Sequence, residues 1–292
     1  MTEQVLTVII PAYNEAANIP LVIPGVIAFC EQNGFNLIVV NDGSTDNSKA
    51  LLNDFINHPC CTVIHHKLNR GYGGAIKSGI EACQTDYLVT IDCDGQHVAE
   101  NIHDLYQKLI VDDADMVVGS RKGLKADTTA RSFGKRIIRS IIKMLMPLPV
   151  YDINSGMKMY RTDLAKRYCK ICPDSMAFSD VICLTFINKR HRVTEIPIHI
   201  EPRKMGKSNV TVKTAFHTVY EVFNMVVLFN PIRIFLPVAL LCIICGIVWG
   251  IPILLAGRGV SVGSMLAIVL GVIILFFAAI AEQLSQIRKR DL

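Results

Sequence analysis

Two carboxylates, Asp92 and Asp94, stand one residue apart just past the short apolar run 87–91. Such a pair at a strand end can share one hard cation. Mg²⁺ is characteristically held by one or two carboxylates together with a substrate's phosphates. Gln96 and His97 follow closely enough to complete or orient the shell. A lone D-x-D is common in turns, but this one has company. Tyr13-Asn14-Glu15, Asn41-Asp42-Gly43-Ser44, the stretch 69–74 and Ser120-Arg121 each follow a short apolar run of their own. Asp42 can face a ligand, or open a turn that feeds a helix cap at Asp46, and the two are compatible. Gly71, Gly73 and Gly74 would let the backbone approach a ligand closely. They do not match the dinucleotide G-x-G-x-x-G, and there is no Walker lysine pattern, which excludes dehydrogenase and P-loop chemistry.

Elements must bring these clusters together. Apolar runs at 5–10, 36–40, 62–65, 87–91 and 116–119 read as strands, and 17–32, 46–56, 74–83 and 100–110 read as helices. Strand and helix alternate at short spacing, which predicts an α/β fold with a mainly parallel sheet covered on both faces. Ligands bind at the carboxyl ends of the strands in such sheets. Five polar clusters on five strand ends predict one site. Further on, 193–200 reads as a strand and 181–189 as a helix that Asp180 could cap. Arg131, Lys135, Arg139 and Lys143 recur every four residues, so 131–145 forms a helix with one basic stripe. It either lies in a membrane interface or packs on the sheet. A second amphipathic helix, 212–228, ends at Asn230-Pro231.

The whole chain has 292 residues, of which 51% are hydrophobic and 19% charged. Ordinary soluble domains hold about 25% charged residues. Disorder is excluded, since it needs low hydrophobicity. The apolar surplus is concentrated in two uncharged stretches, 234–256 and 260–281, each long enough to cross a bilayer core of about 30 Å. Basic residues flank both: Lys204, Lys207, Lys213 and Arg233 before, Arg288, Lys289 and Arg290 after. The positive-inside rule then predicts a multi-pass protein of the cytoplasmic membrane with both termini in the cytoplasm. No signal peptide is read at the N-terminus. The expected division is a cytoplasmic domain 1–211, a juxtamembrane helix 212–231, two spans within 232–285 and a basic tail 286–292. The net charge of +5 is modest and partly C-terminal, which fits an anionic membrane face and not nucleic acid. The ten cysteines show no zinc spacing and are read as structural thiols.

Read in order, Pro11-Ala12-Tyr13-Asn14-Glu15, Asn41-Asp42-Gly43-Ser44-Thr45-Asp46, Asn69-Arg70-Gly71-Tyr72-Gly73-Gly74-Ala75, Asp92-Cys93-Asp94-Gly95-Gln96-His97 and Gly119-Ser120-Arg121 resemble the motifs of the family-two inverting glycosyltransferases of the GT-A fold. Asp152-Ile153-Asn154-Ser155-Gly156-Met157-Lys158 is similar to the D-x-x-S-G-(F/M)-(R/K) motif of dolichol- and polyprenyl-phosphate sugar synthases. Arg203-Lys204-Met205-Gly206-Lys207-Ser208-Asn209 resembles their R-x-x-G-x-S-K loop. The resemblance runs from residue 5 to about 230, and two terminal spans are common in the bacterial branch.

It implies a Rossmann-like GT-A sheet followed by a transmembrane hairpin. It implies transfer of a sugar from a UDP- or GDP-linked donor to a polyprenyl (undecaprenyl or dolichyl) phosphate. Pro11, Tyr13, Glu15 and Asp42 would hold the base and ribose, with Gly74 also on the donor side. Asp92, Asp94 and Gln96 would ligate Mg²⁺ or Mn²⁺ on the diphosphate. Arg121, Arg131, Arg203 and Lys207 would gather the phosphates, with Ser155 at the acceptor phosphate and Asp152 in the catalytic group. Asn209 stands where the loop ends in lysine, so Lys207 would take over that charge. Gly95 stands where many relatives have a larger residue.

A lipid monophosphate has its second ionisation near pH ~6, by analogy with phosphorylated side chains. At neutral pH it is already an anionic nucleophile. It needs no strong base, only basic groups that bring two mutually repelling anions together. A hydroxyl acceptor would instead need a carboxylate base, for which Asp180 is the foremost candidate and Asp152 the second. A non-catalytic membrane subunit is the third reading, against which both Asp92 and Asp94 are retained. Paired spans also make a homo-oligomer an expectation.

Overall fold

The protein is described as a computed structural model over residues 5–121, 149–201 and 231–290, with side chains through 287. The described residues form two compact units, a sheet domain and a helical hairpin.

β1 (Leu6–Ala12) is buried along its whole length, as a continuous apolar run must be when helices cover both faces. It pairs in parallel with β2 (Asn36–Asn41) and with β4 (Tyr87–Thr90), and β2 pairs in parallel with β3 (Cys61–His65). Beyond β4 comes β6 (Lys158–Arg161), antiparallel to both β4 and β5 (Met116–Ser120), and β7 (Val193–Pro197) closes the sheet in parallel with β5. The order is β3-β2-β1-β4-β6-β5-β7.

On one face, α1 (Ile19–Asn33), α2 (Ser48–Asn53) and α4 (Glu100–Val111) place Ile19, Ile23, Leu52, Ile102 and Leu105 in one buried cluster with Leu6, Val8 and Ile10. Toward the other face, α3 (Tyr72–Ala82) packs on β1, with Gly79 directly over Ile9. α5 (Thr162–Tyr168) and α6 (Phe178–Asn188) meet around Phe186, whose ring lies 6.1 Å from Tyr160 and 5.4 Å from Tyr168.

The strands expected at 5–10, 36–40, 62–65, 87–91, 116–119 and 193–200 all form, with ends shifted by up to three residues. β6 and α5 were not expected. β6 is four residues long and begins with a lysine, so its buried character is set by its neighbours and not by its composition. Helix α6 starts at Phe178 with Ala177 at the cap position, so Asp180 lies inside the first turn and is not the N-cap.

In the second unit, α7 (Pro231–Leu255) and α8 (Val262–Arg290) pack as a hairpin, each long and apolar enough to cross a membrane. α7 begins ahead of the expected stretch 234–256 and ends at Leu255, whereas α8 runs past 281 to Arg290, because backbone hydrogen bonding does not stop where the apolar window does. At their crossing, a Cβ on Gly246 or on Gly271 would fall 2.7 Å from Ile268 Cγ1 or from the Ala239 carbonyl oxygen respectively. Small residues there let the two backbones approach. The expected helices at 131–145 and 212–228, with Arg131, Arg203, Lys207 and Asn209, lie outside the described residues.

Candidate active site

The carboxyl ends of β1 to β5 lie at one edge of the sheet. The first two connections are stitched together by hydrogen bonds. Asn14, at φ 55°, donates its N–H to Ser44 Oγ at 3.0 Å and accepts the Thr45 N–H on Oδ1 at 2.8 Å. Glu15 N–H donates to Ser48 Oγ at 2.9 Å. Asp46 accepts the N–H of Ser48 at 2.9 Å and of Ala16 at 3.1 Å. Burial pushes its carboxyl up, but the bonds from Ser48 and Ala16 prevail and hold it below the ordinary aspartate range. Pro11 is buried in β1, level with Val40. Tyr13 is 46% exposed at the rim, and Glu15 accepts the Asn18 side-chain amide at 2.6 Å.

Asp42 is 2% exposed and heavily engaged. Its Oδ1 accepts the Arg70 N–H at 2.9 Å and lies 2.7 Å from His66 Nδ1, and its Oδ2 accepts the Gly71 N–H at 2.8 Å. His66 Nε2 in turn is 2.9 Å from Ser78 Oγ. Asp42 therefore shapes the 66–71 loop from beneath. The glycines after Asn69 are packed closely. Their close approach is to the chain itself: a side chain on Gly71 would meet the Asp174 carbonyl, and one on Gly73 the Pro173 carbonyl. The Gly73 N–H donates to the Asp174 carbonyl at 2.8 Å, Gly74 packs beside the Asp174 side chain, and Lys77 pairs with that carboxylate at 2.6 Å.

Asp92 and Asp94 lie on the turn after β4, with Gly95 at φ 74° permitting the tight reversal. The N–H of Asp92 donates to His97 Nδ1 at 3.1 Å, and its carboxylate Oδ1 accepts the Tyr72 hydroxyl at 3.0 Å. Asp94, buried, accepts the Gln96 N–H at 3.0 Å. Gln96 receives the Glu201 N–H on its carbonyl at 3.0 Å, and His97 forms a bridge with Ile200. The chain beyond β7 thus returns to this turn at residues 200–201. By residue type, two carboxylates and an amide oxygen are hard donors of the kind that Mg²⁺ or Mn²⁺ takes. Among the described residues no three His, Cys, Asp or Glu side chains form a closed cage, so the remaining ligands would be phosphate oxygens.

Arg121 grips Asp152 in a fork, Nε to Oδ2 at 2.7 Å and Nη2 to Oδ1 at 2.9 Å, and its N–H also donates to Oδ2 at 3.1 Å. Although burial pushes the Asp152 carboxyl up, these bonds to Arg121 hold it below the usual range. A carboxylate so engaged is a poor proton acceptor and a good anchor for a guanidinium. Ser155 is buried, with its hydroxyl turned to the Met157 backbone. Lys158 is fully buried, and its ammonium donates to the Ser155 carbonyl. Burial pushes its pKa down, against the opposing charges of Asp180 and Asp152. Asp180 is 3% exposed in this cluster, and a general base must reach the proton it takes.

Pro11, Tyr13, Glu15, Asp42, Gly74, Asp92, Asp94, Gln96, Arg121, Asp152 and Ser155 therefore share one sheet edge, while Arg131, Arg203 and Lys207 are outside the described residues. Sequence reasoning missed Tyr72, His66 and Lys158. An aromatic set between glycines, Gly71-Tyr72-Gly73, was the available sign for the first.

The pattern of glycosyl transferase family 2 matches residues 7–169, and that of the GtrB C-terminal hairpin matches 230–287. Over 220 residues the chain is 30% identical to the undecaprenyl-phosphate 4-deoxy-4-formamido-L-arabinose transferase of Enterobacter sp. (strain 638), covering 74% of this chain and 65% of that protein. The protein of the same description from Yersinia pestis (strain Pestoides F) is 28% identical, over 78% of this chain and 69% of its own. The chain thus spans slightly less than two thirds of the Enterobacter relative. Its fold is similar to glucosyl-3-phosphoglycerate synthase from Mycobacterium tuberculosis, solved with Mn²⁺, UDP-glucose and phosphoglyceric acid (TM-score 0.60, 17% identity, 77% of this chain and 79% of that one). S. aureus TarS 1–349 with UDP-GlcNAc is also similar (TM-score 0.55, 16% identity, 77% and 66%). With the matched stretch exceeding half its length and the GT-A-like sheet carrying the matched motifs, the chain belongs to glycosyl transferase family 2.

Proposed function

We propose that this protein is a membrane-anchored, divalent-metal-dependent inverting glycosyltransferase that moves a sugar from a nucleotide-sugar to a polyprenyl monophosphate at the cytoplasmic membrane face. The observation that carries the reading is the convergence of Asp92-x-Asp94 and the Arg121–Asp152 fork on one sheet edge. The relatives named as undecaprenyl-phosphate transferases support the acceptor class, and the UDP complexes of the similar structures support a nucleotide donor.

In this reading Tyr13 and Glu15 line the base and ribose subsite, and Asp42 holds the floor loop beneath it. Asp92, Asp94 and Gln96 hold Mg²⁺ or Mn²⁺, which when bound stabilises charge on the departing nucleoside diphosphate. Arg121, kept in a fixed orientation by Asp152, presents its guanidinium to the acceptor phosphate, with Arg131, Arg203 and Lys207 supplying further positive charge. No proton need be removed from a phosphate that is already ionised. The burial of Asp180 disfavours a hydroxyl acceptor that would rely on it as base. The positive flanks of the spans support a topology with the sheet domain and both termini in the cytoplasm.

The test is a panel of radiolabelled nucleotide sugars incubated with membranes holding the full chain and undecaprenyl or dolichyl phosphate. Labelled lipid that needs Mg²⁺ or Mn²⁺ and is lost in Asp94→Ala supports the reading. Transfer only to a hydroxyl acceptor, or transfer undiminished by a chelator, would overturn it.

A further inference from the structure

The two carboxylate oxygens of Asp92 have different surroundings. Oδ1 accepts the 3.0 Å hydrogen bond from the Tyr72 hydroxyl at the start of α3, and Ser179 at the start of α6 hydrogen-bonds the same phenol. Oδ2 lies against Gly156, where a Cβ would also fall 2.9 Å from both the carboxyl carbon and Oδ1. Gly156 has no positive φ, so space and not backbone conformation excludes a side chain there. The turn that carries it is itself pinned. Thr90 Oγ1 donates to the Gly156 carbonyl at 2.8 Å, and the Lys158 ammonium donates to the Ser155 carbonyl. Phenol on one side and glycine on the other bound the rotation of a carboxylate that is still 34% exposed.

We propose that Tyr72 and Gly156 are positioning residues that lock the Asp92 carboxylate in one orientation and thereby set the affinity of this site for a divalent cation. The proposal rests on the reading of Asp92 as a cation ligand. A phenol suits the task because it orients the carboxylate yet leaves its negative charge for the cation, which a lysine or arginine would partly neutralise. A phenol, unlike a carboxyl or an imidazole, stays protonated and able to donate throughout the neutral range. Partners that orient a metal ligand from behind typically govern 10–100-fold in metal affinity.

The experiment titrates Mn²⁺ into the full chain in detergent micelles, with UDP or GDP present, and follows free Mn²⁺ by electron paramagnetic resonance. Tyr72→Phe, which removes only the hydroxyl, should raise the Mn²⁺ Kd about tenfold or more, and Gly156→Ala should act in the same direction. Ser179→Ala, which unsupports the phenol, is the second variant should Gly156→Ala fail to fold, and it should weaken binding less than Tyr72→Phe. If Tyr72→Phe binds Mn²⁺ within about twofold of the parent while Asp92→Asn loses binding, the positioning role is overturned and the metal reading stands. If Asp92→Asn also binds like the parent, the metal reading itself fails and the proposal falls with it.

Discussion

At the scale of single residues, the proposed function divides the site into groups that would touch ligands and groups that would hold them. Asp94→Ala should lower sugar transfer at least about a hundredfold, the usual cost of losing one electrostatic contact to a developing charge. Thermal unfolding should stay cooperative, and the radiolabel assay reads the loss. If Asp152 acts through Arg121, as proposed, Asp152→Asn should raise the KM for polyprenyl phosphate while leaving nucleotide binding intact. The pH dependence follows from the sign of the shift. A carboxyl held below its unfolded value contributes stability that is complete above that value and is lost as pH falls through the folded one. The Arg121–Asp152 pair should therefore persist through neutral and mildly acid solution and break only below about pH 4. A stability difference between the parent and Asp152→Asn that is already lost between pH 5 and 6, read from unfolding without substrate, would contradict this. Of these roles, the sequence displayed the carboxylates and the arginine through residue type and spacing. It could not display that Arg121 and Asp152 clasp each other, because their partnership spans thirty residues of chain.

At the scale of elements, the antiparallel strand β6 organises the edge. Because it runs against β4 and β5, its first residue Lys158 pairs opposite Thr90 at the carboxyl end of β4 and opposite Val118 in the middle of β5. The 152–157 turn is thereby delivered to the same edge as Asp92 and Arg121. Nothing in four residues that begin with lysine marks a buried strand, so only the pairing of neighbours reveals it. Lys158→Met would leave the Ser155 carbonyl without its donor and remove a charge buried near Asp152 and Asp180. It should destabilise the sheet domain by about 3 kcal/mol, read from thermal or denaturant unfolding. The glycine loop belongs to this scale too. Gly73→Ala forces a methyl group against the Pro173 carbonyl and 2.9 Å from Phe178 Cβ. A cost of about 1–3 kcal/mol is expected, the range for overpacking, and a variant as stable as the parent would show that the 173–174 segment yields easily.

At the scale of the whole molecule, the apolar surplus of the chain is carried by α7 and α8, while the sheet domain has the buried strands of an ordinary α/β protein. If both termini face the cytoplasm, a cysteine placed at Arg258 in the hairpin turn should react with a membrane-impermeant maleimide in intact cells. One placed at Asp291 should react only after the membrane is opened. The opposite pattern would reverse the topology drawn from the flanking charges. Two spans are enough to hold a catalyst beside its lipid substrate, and labelled lipid made by this chain alone in sealed vesicles should stay on the face of synthesis.

The sequence by itself determined the class of fold, the two apolar spans and the identity of the groups that can do chemistry. Hydrophobic period, run length and residue type are local properties, and each is written within a few residues. The tertiary structure alone decided which groups meet. It set Gly71 and Gly73 against Pro173-Asp174, buried both Asp180 and Lys158, and placed Asp92 between Tyr72 and Gly156. Those contacts join residues 20 to about 100 positions apart. They exist because strand order and one reversed strand bring distant turns to a common edge, and no local pattern encodes strand order.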